Sequence, residues 1–362
     1  MSGSVALLDR AEALHVRIPL RRPFLTAGGE VTERRSWIVR LQDLDGYTGV
    51  GEVALDPGAS TAEELQLASA LGEAVRLLAA RETPDWTGLT TRAWRAVRAG
   101  CDEALEDLAN NAAETPPRPI SVVVNATLEV SPPGVAADSA TQAVATGFGC
   151  LKLKIGREER VAIVERVRAV RAAVGPGVGI RLDANATWDY DTAARLLDDL
   201  ARSAVEYVEQ PLVPDDLVGH ARLRRASAVP IALDESIDSE AAAVAAIGAG
   251  AADVLVIKPA RVGGPAVVRA IAALAAAAGV PVVASTFFET GVGIAAAIRA
   301  AAELPLVGPE RAHGLGTAGL LERDLLAESC AVTGGRIRLP DTVLLDERAL
   351  RRYTIETIAA AR

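Results

Sequence analysis

The sequence predicts an α/β protein: a barrel of parallel strands, each followed by a helix, beside a smaller α+β domain. From about residue 120, eight short apolar runs recur at intervals of roughly 25 residues and alternate with Ala-, Arg- and Leu-rich stretches of helical periodicity. Eight such units over about 200 residues fit a closed (β/α)8 barrel. An open doubly wound sheet is the alternative, but no Gly-rich phosphate loop follows the first predicted strand.

The apolar runs define the predicted barrel strands, and we assign residues 120–320 to the barrel domain. In order, the runs are residues 121–127, 150–155, 179–183, 205–209, 230–234, 253–258, 281–286 and, more weakly, 304–307 or 312–315.

Residues 1–119 have a different pattern, which predicts an α+β capping domain. Its predicted elements are strands at 15–19, 37–41 and 50–54 and helices at 62–80 and 91–112. We expect the C-terminal segment 321–362, with a strand-like stretch at 336–339, to return and complete this domain. The polar, Gly-containing segment 21–33 is a candidate lid over the barrel mouth.

Composition excludes several classes of protein. Hydrophobic residues make up 50% and charged residues 23%, which is typical of a globular chain and not of a disordered one. The net charge of −9 argues against nucleic acid and anionic membranes as partners. The three cysteines lack the spacing of a zinc site. The longest apolar run, 270–284, is too short to span a bilayer, so we expect a cytoplasmic protein.

The lysines are the most informative residues. Of 38 basic residues only Lys152, Lys154 and Lys258 are lysine, and each lies in an apolar, strand-like stretch. A guanidinium stays protonated, whereas a desolvated ammonium can lose its proton and act as a base. We therefore predict that these lysines are acid–base groups; the alternative, three leftover surface residues, fits poorly with their apolar surroundings.

Carboxylates end the strands between these lysines. Asp183, Glu209 and Asp234 are 26 and 25 residues apart, so each lies one βα unit after the last. Active sites of such barrels lie at the carboxyl ends of the strands. Three carboxylates there would repel one another, and a hard divalent cation with oxygen ligands, Mg²⁺, would relieve the repulsion. Asn185 and Glu235 follow the same strands, and we expect them to orient the lysines and the metal ligands.

Five short motifs give the chain a resemblance to the enolase superfamily, and within it to the muconate-lactonising subgroup. They are Lys152-Leu153-Lys154, Asp183-Ala184-Asn185, Glu209-Gln210-Pro211, Asp234-Glu235-Ser236 and Lys258-Pro259. The resemblance implies a capping domain, a modified (β/α)7β barrel and Mg²⁺ held by the three carboxylates. It also implies that Lys154 and Lys258 are the acid–base residues and that Lys152 assists an enolate.

The last predicted strands resemble those of o-succinylbenzoate synthases, at residues 284–291 and 313–317. This resemblance implies a Mg²⁺-dependent lyase that dehydrates a succinyl-hydroxycyclohexadiene carboxylate in menaquinone biosynthesis. The partner would be a small-molecule carboxylate, contacted by Arg181, Ser285 and Thr286, and the protein could be a homo-oligomer.

Other functions stay open at this point. The same lysines could serve a racemase or epimerase of N-acylamino acids or dipeptides, or a muconate cycloisomerase-like isomerase. Dipeptide epimerases usually carry an Asp-x-Asp near the eighth strand, and muconate cycloisomerases an acidic residue; this chain has neither there. A non-catalytic barrel is disfavoured, because binding alone would accept arginine in place of lysine. His313 is a second candidate base or, equally, a structural histidine.

Overall fold

The computed structural model describes most of the chain. The described residues are 8–26, 29–57, 59–87, 91–113, 118–155 and 158–360. The strands are β1 (Leu8–Thr26), β2 (Gly29–Asp43), β3 (Thr48–Val53), β4 (Ser121–Val123), β5 (Ala126–Leu128), β6 (Cys150–Lys154), β7 (Gly179–Asp183), β8 (Tyr207–Glu209), β9 (Ile231–Leu233), β10 (Val254–Ile257), β11 (Val282–Ala284), β12 (Val332–Thr333), β13 (Arg336–Arg338) and β14 (Thr354–Ala360). The helices are α1 (Thr61–Ala79), α2 (Arg92–Asn111), α3 (Pro133–Ala145), α4 (Arg160–Val174), α5 (Tyr190–Leu200), α6 (Leu217–Ala226), α7 (Glu240–Gly248), α8 (Pro259–Val262), α9 (Pro265–Ala277), α10 (Gly291–Ala302) and α11 (Glu347–Tyr353).

Strands β5 to β11 form a curled parallel sheet in which every strand lies beside the next one along the chain. The sheet closes through the segment after α10: His313 N donates to Val123 O (2.8 Å) and Gly314 N donates to Ala284 O (2.8 Å). Of the two candidates for the eighth run, 312–315 is therefore the one that closes the barrel, through isolated bridges. The predicted α/β barrel is confirmed.

The first predicted barrel strand, 121–127, divides into two. β4 pairs antiparallel with β13, while β5 pairs parallel with β6. Between them, Val124 N donates to Gly335 O and Asn125 N donates to His313 O, so the backbone changes partners at these two residues. The run is one apolar stretch in sequence but belongs to two sheets.

The N-terminal residues predicted to be a capping domain form an antiparallel sheet with β14, in the order β14-β1-β2-β3, which α1 and α2 cover. Trp37 and Leu41 of β2 pack with Leu71 of α1 and Val97 of α2 in one buried cluster. Strand β3 lies directly on α2, and a Cβ added at Gly51 would overlap the carbonyl of Gly100. The C-terminal strand β14 completes the sheet beside β1, whereas the predicted stretch 336–339 pairs with β4 as β13.

The candidate lid at 21–33 is β-structure in its described part. It forms the end of β1 and the start of β2, where Phe24 pairs with Val31 and Leu25 with Glu30. Residues 27 and 28 lie outside the described residues. Among the described helices, none has the length and apolar character needed to cross a membrane.

Candidate active site

The predicted charged residues meet at one level of the barrel interior. Strand register places Lys154, Asp183 and Glu209 side by side on β6, β7 and β8. Asp234 directly follows β9, and Lys258 directly follows β10. Because parallel strands end at the same edge, these five side chains share the carboxyl-terminal mouth of the barrel.

The lysines contact the carboxylates directly. Lys152 Nζ lies 2.8 Å from Asp183 Oδ2 and 2.7 Å from Glu209 Oε1. Lys154 Nζ donates to the same Asp183 oxygen (2.7 Å) and to Asn185 Oδ1 (3.0 Å). Lys258 Nζ donates to Asp234 Oδ2. All three lysines of the chain therefore lie at this site.

Asn185 connects one lysine to a second carboxylate. While its Oδ1 accepts from Lys154, its Nδ2 donates to Glu235 Oε1 (3.1 Å). Burial, followed by the charge of Asp234, raises the pKa of Glu235. These contacts link Lys154 to Glu235 through Asn185, and the orienting role of the two residues stays a prediction.

Arg261 is a supporting residue that the sequence did not reveal. Its Nη1 donates to Asp234 Oδ1 (2.6 Å) and to the backbone oxygen of the same residue (2.9 Å). Its guanidinium and the Lys258 ammonium both lie over the ring of Phe287, 4.8 and 5.0 Å from the centroid. No signal in the sequence separates Arg261 from the other arginines except its place three residues after Lys258.

The surroundings shift the pKa values of the three carboxylates in different directions. Burial alone would raise the pKa of Asp183, but the ammonium groups of Lys152 and Lys154 outweigh it and hold the pKa below its ordinary value. Asp234 behaves similarly: Arg261 and then Lys258 overcome burial and lower its pKa to about 2. Burial raises the pKa of Glu209 to about 7; Lys152 opposes this shift, while the charges of Asp183 and Asp234 add to it.

Lys152 is a cation in this arrangement. Burial would lower its pKa, but the charges of Asp183 and Glu209 outweigh burial and raise the pKa well above its ordinary value. Its position between two carboxylates suits a fixed positive charge better than a base.

The donor set is suited to a hard divalent cation. Within the described residues, no group of three acidic, His or Cys side chains is close enough to hold a metal ion as the side chains stand, since Lys152 lies between Asp183 and Glu209. The chemistry nevertheless fits Mg²⁺, because three carboxylates no more than 2% exposed meet on neighbouring strands. Glu209 in particular is destabilised as an anion by its two neighbours, and a cation would relieve this.

Arg181 lies deeper than a substrate contact requires. It is 1% exposed, and its guanidinium donates to Glu206 (2.9 and 3.1 Å) and to Ala312 O (2.6 Å). The period of two puts Arg181 on the same face as Asp183, but two residues earlier and so about 7 Å lower in the barrel. The predicted substrate contact is therefore replaced by a structural role beneath the carboxylates.

Ser285 and Thr286 do lie at the mouth, directly after β11. Both are buried, and the Thr286 hydroxyl is within hydrogen-bond distance of Thr317 Oγ1 (3.2 Å) and Gly314 O (3.4 Å). His313 accepts from Ala284 N at Nδ1 (3.1 Å), and burial lowers its pKa to about 4. His313 thus lies in the segment that closes the barrel, with an imidazole that burial keeps neutral.

A barrel with buried carboxylates and lysines at its strand ends, together with an N-terminal α+β sheet, defines the class of protein. Residues 135–343 match the family model "Enolase C-terminal domain-like", and the chain belongs to this family. The resemblance to the enolase superfamily drawn from the five motifs is thereby confirmed.

Two curated relatives and one solved structure are similar to the chain. It is 42% identical over 215 residues to the o-succinylbenzoate synthase of Thermobifida fusca, which covers 58% of this chain and 64% of that protein's length. It is 32% identical over 319 residues to the L-Ala-D/L-Glu epimerase of Bacillus subtilis, covering 81% and 84%. The dipeptide epimerase from Enterococcus faecalis, complexed with Mg and the dipeptide L-Leu-L-Tyr, superposes with a TM-score of 0.80 at 26% identity, covering 93% and 98%.

Proposed function

We propose that this protein is a Mg²⁺-dependent lyase of the o-succinylbenzoate synthase type, acting in menaquinone biosynthesis. The observation that carries the proposal is the convergence of all three lysines on the buried carboxylates Asp183, Glu209 and Asp234. The identity of 42% to an o-succinylbenzoate synthase supports this reaction over others that such a site could perform.

Asp183, Glu209 and Asp234 would hold the Mg²⁺, which when bound would neutralise the charge that develops on a substrate carboxylate. Lys152 is assigned the second positive charge beside that carboxylate, because its neighbours keep it protonated. Ser285 and Thr286, at the mouth, are the proposed substrate contacts.

Lys154 is assigned the proton transfer. In its neutral form it removes the proton α to the substrate carboxylate, and the electron pair of the broken C–H bond then expels the ring hydroxyl. The departing hydroxyl takes the proton back from the Lys154 ammonium and leaves as water, so the ring becomes aromatic. Asn185, bonded to Lys154, orients the nitrogen. Lys258, on the far side of the carboxylates, is assigned a cation near the ring.

A racemase or epimerase of dipeptides or N-acylamino acids is the second candidate. Lys154 ends β6 and Lys258 directly follows β10, two strands that lie four places apart in the sheet, and the two lysines bond to different carboxylates. Two lysines on opposite sides of a substrate suit removal of a proton from one face and its return to the other. The 32% identity to an epimerase, over 84% of that relative's length, favours this candidate more than a muconate cycloisomerase.

Turnover of the cyclohexadiene precursor tests the first proposal. The pure protein with Mg²⁺ is expected to convert succinyl-hydroxycyclohexadiene carboxylate to an aromatic product, followed by a new ultraviolet band. In parallel, L-Ala-L-Glu and N-succinylamino acids are incubated in deuterated water. No dehydration, together with deuterium at Cα of both stereoisomers, would replace the lyase by the epimerase.

Lys154→Arg tests the assigned base. Arginine keeps the positive charge beside Asp183 but does not deprotonate at neutral pH, so activity should fall at least about 10³-fold. Mg²⁺ affinity, measured by calorimetry, should change little. Arg168→Lys, on the exposed face of α4, is a control that alters a basic residue away from the site. Retention of activity in Lys154→Arg would exclude the base role.

A further inference from the structure

The side chain of Gln210 is fully buried behind the carboxylates, and all of its polar atoms are engaged. Its Oε1 accepts from the backbone N of Asp234 (3.0 Å) and of Ser236 (3.1 Å). Its Nε2 donates to Leu212 O (3.0 Å) and to Ser236 Oγ (2.8 Å). These contacts fix the orientation of the amide, because two N–H donors face the oxygen, while Leu212 O, Ser236 Oγ and, at 3.5 Å, His220 Nε2 face the nitrogen.

The backbone of Gln210 forms hydrogen bonds to strand β9 and to the segment that follows strand β7. Gln210 N donates to Ala232 O of β9 (2.8 Å), and Gln210 O accepts from Ala186 N (2.8 Å), three residues after Asp183. Its φ of +41° is unusual for a residue with a side chain and costs of order 1 kcal/mol, so the surrounding contacts must hold it. Gln210 therefore directly follows Glu209 and contacts the backbone just after both Asp183 and Asp234.

We propose that Gln210 is a positioning residue that fixes the spacing of Asp183, Glu209 and Asp234 and thereby sets the affinity of the site for Mg²⁺. The inference rests on the metal site of the proposed function but not on the identity of the substrate. The amide is suited to the role because it clamps the Asp234 backbone without adding a fourth negative charge behind the carboxylates.

The geometry also explains why the side chain is glutamine. Asparagine is one methylene shorter and would not reach both N–H groups from the same backbone position. Methionine fills a similar volume but leaves the N–H groups of Asp234 and Ser236 without an acceptor in a buried place. Glutamate keeps acceptor oxygens at the same reach, but it loses the donors to Leu212 O and Ser236 Oγ and brings an ionisable group.

Calorimetric titration of Mg²⁺ into the metal-free full-length protein tests the inference without any substrate. Gln210→Met should weaken Mg²⁺ binding about 10- to 100-fold, the usual effect of removing a group that orients metal ligands. Gln210→Glu keeps the acceptor oxygens, and an ionised carboxyl would only add attraction for the cation, so its Mg²⁺ affinity should fall no more than about threefold below that of the original protein. Gln142→Met, at an exposed position on α3, makes the same substitution as a control and should change nothing.

Circular dichroism confirms folding of each variant, and Gln210→Asn replaces Gln210→Met if the latter does not fold, with the same weakening expected. Equal Mg²⁺ affinity in Gln210→Met and the original protein would overturn this inference alone. Equal weakening in Gln210→Met and Gln210→Glu would also overturn it, because the acceptor oxygen would then be irrelevant. Absence of Mg²⁺ binding by the original protein would overturn both this inference and the metal site of the proposed function.

Discussion

The buried carboxylates of this protein differ in how many cations lie beside them. Asp234 has two cations in contact, Lys258 and Arg261. Glu289, in the segment after β11, has a hydrogen bond from Phe287 N and the charge of Arg34, but it also faces the charge of Glu52. Burial outweighs the favourable contacts and raises the pKa of Glu289 to about 7. Glu289 is thus partly protonated at neutral pH.

Glu289→Gln should therefore change how stability depends on pH. A carboxyl with a raised pKa in the folded state holds its proton there while the unfolded chain has lost it, so its contribution falls as pH rises from about 4.5 towards 7. Between pH 5 and 8 the original protein should lose about 2 kcal/mol of unfolding free energy relative to Glu289→Gln. Urea denaturation at both pH values measures the difference; parallel pH profiles would contradict it.

Residue spacing predicted which carboxylates and lysines share the site, because intervals of one βα unit place residues on successive strands. It did not predict how deep a side chain lies in the barrel. The period of two shows only which face of the strand a residue is on, so Arg181 could not be distinguished from residues at the barrel mouth. Nor could it predict Arg261, whose role depends on a contact across space with Asp234.

At the scale of elements, a residue of the N-terminal sheet supplies a hydrogen-bond acceptor to the first turn of a barrel helix. Glu52, on β3, accepts hydrogen bonds from Thr290 N (2.9 Å), Thr290 Oγ1 (2.6 Å) and Gly293 N (3.1 Å) at the start of α10. A carboxylate at this position also interacts favourably with the helix dipole. The contact joins the two parts of the molecule at the segment that follows the mouth of the barrel.

Glu52→Ala should destabilise the protein by about 2–4 kcal/mol, because it leaves buried N–H groups of α10 without an acceptor. Urea denaturation measures the loss. Glu82→Ala, at an exposed position after α1, is the matched control and should change stability by less than about 0.5 kcal/mol. A loss below 1 kcal/mol for Glu52→Ala, on the order of an exposed cap, would show that water or another group replaces the carboxylate.

The alternation of apolar and helical stretches predicted most elements of the barrel, since each buried strand is a compact apolar run. The pattern does not show which strands pair with each other. The run 121–127 belongs to two sheets, and the closing segment at 312–315 makes isolated bridges. The segment 21–33 resembled a loop in sequence, but its described part is strand because the backbones of β1 and β2 pair there.

At the scale of the whole molecule, the first and the last described strands, β1 and β14, lie side by side in one sheet. β14 occupies the edge beside β1, with pairs from Ala11–Ala360 to Val16–Thr354. All of the β14 residues are at least partly exposed, so the strand contributes mainly backbone hydrogen bonds. It also covers the edge of β1, which would otherwise offer unpaired backbone groups to another chain.

A chain that ends at Tyr353 should therefore fold less stably and self-associate. Size-exclusion chromatography with light scattering should show aggregates that grow with concentration, since the β1 edge becomes available for pairing. A chain that ends at Ala360 keeps β14 and is the control. A truncated chain that stays in the same oligomeric state as the control would show that β14 does not protect the edge.

The distribution of lysine gives this protein a practical property. Because its only three side-chain ammonium groups lie together at the barrel mouth, amine-directed chemistry reports on that place alone, apart from the α-amino group. Reductive methylation with ¹³C-formaldehyde would give a spectrum free of background from the surface. Each resonance would follow the binding of a cation or a ligand directly, in a molecule of a size where most such spectra are crowded.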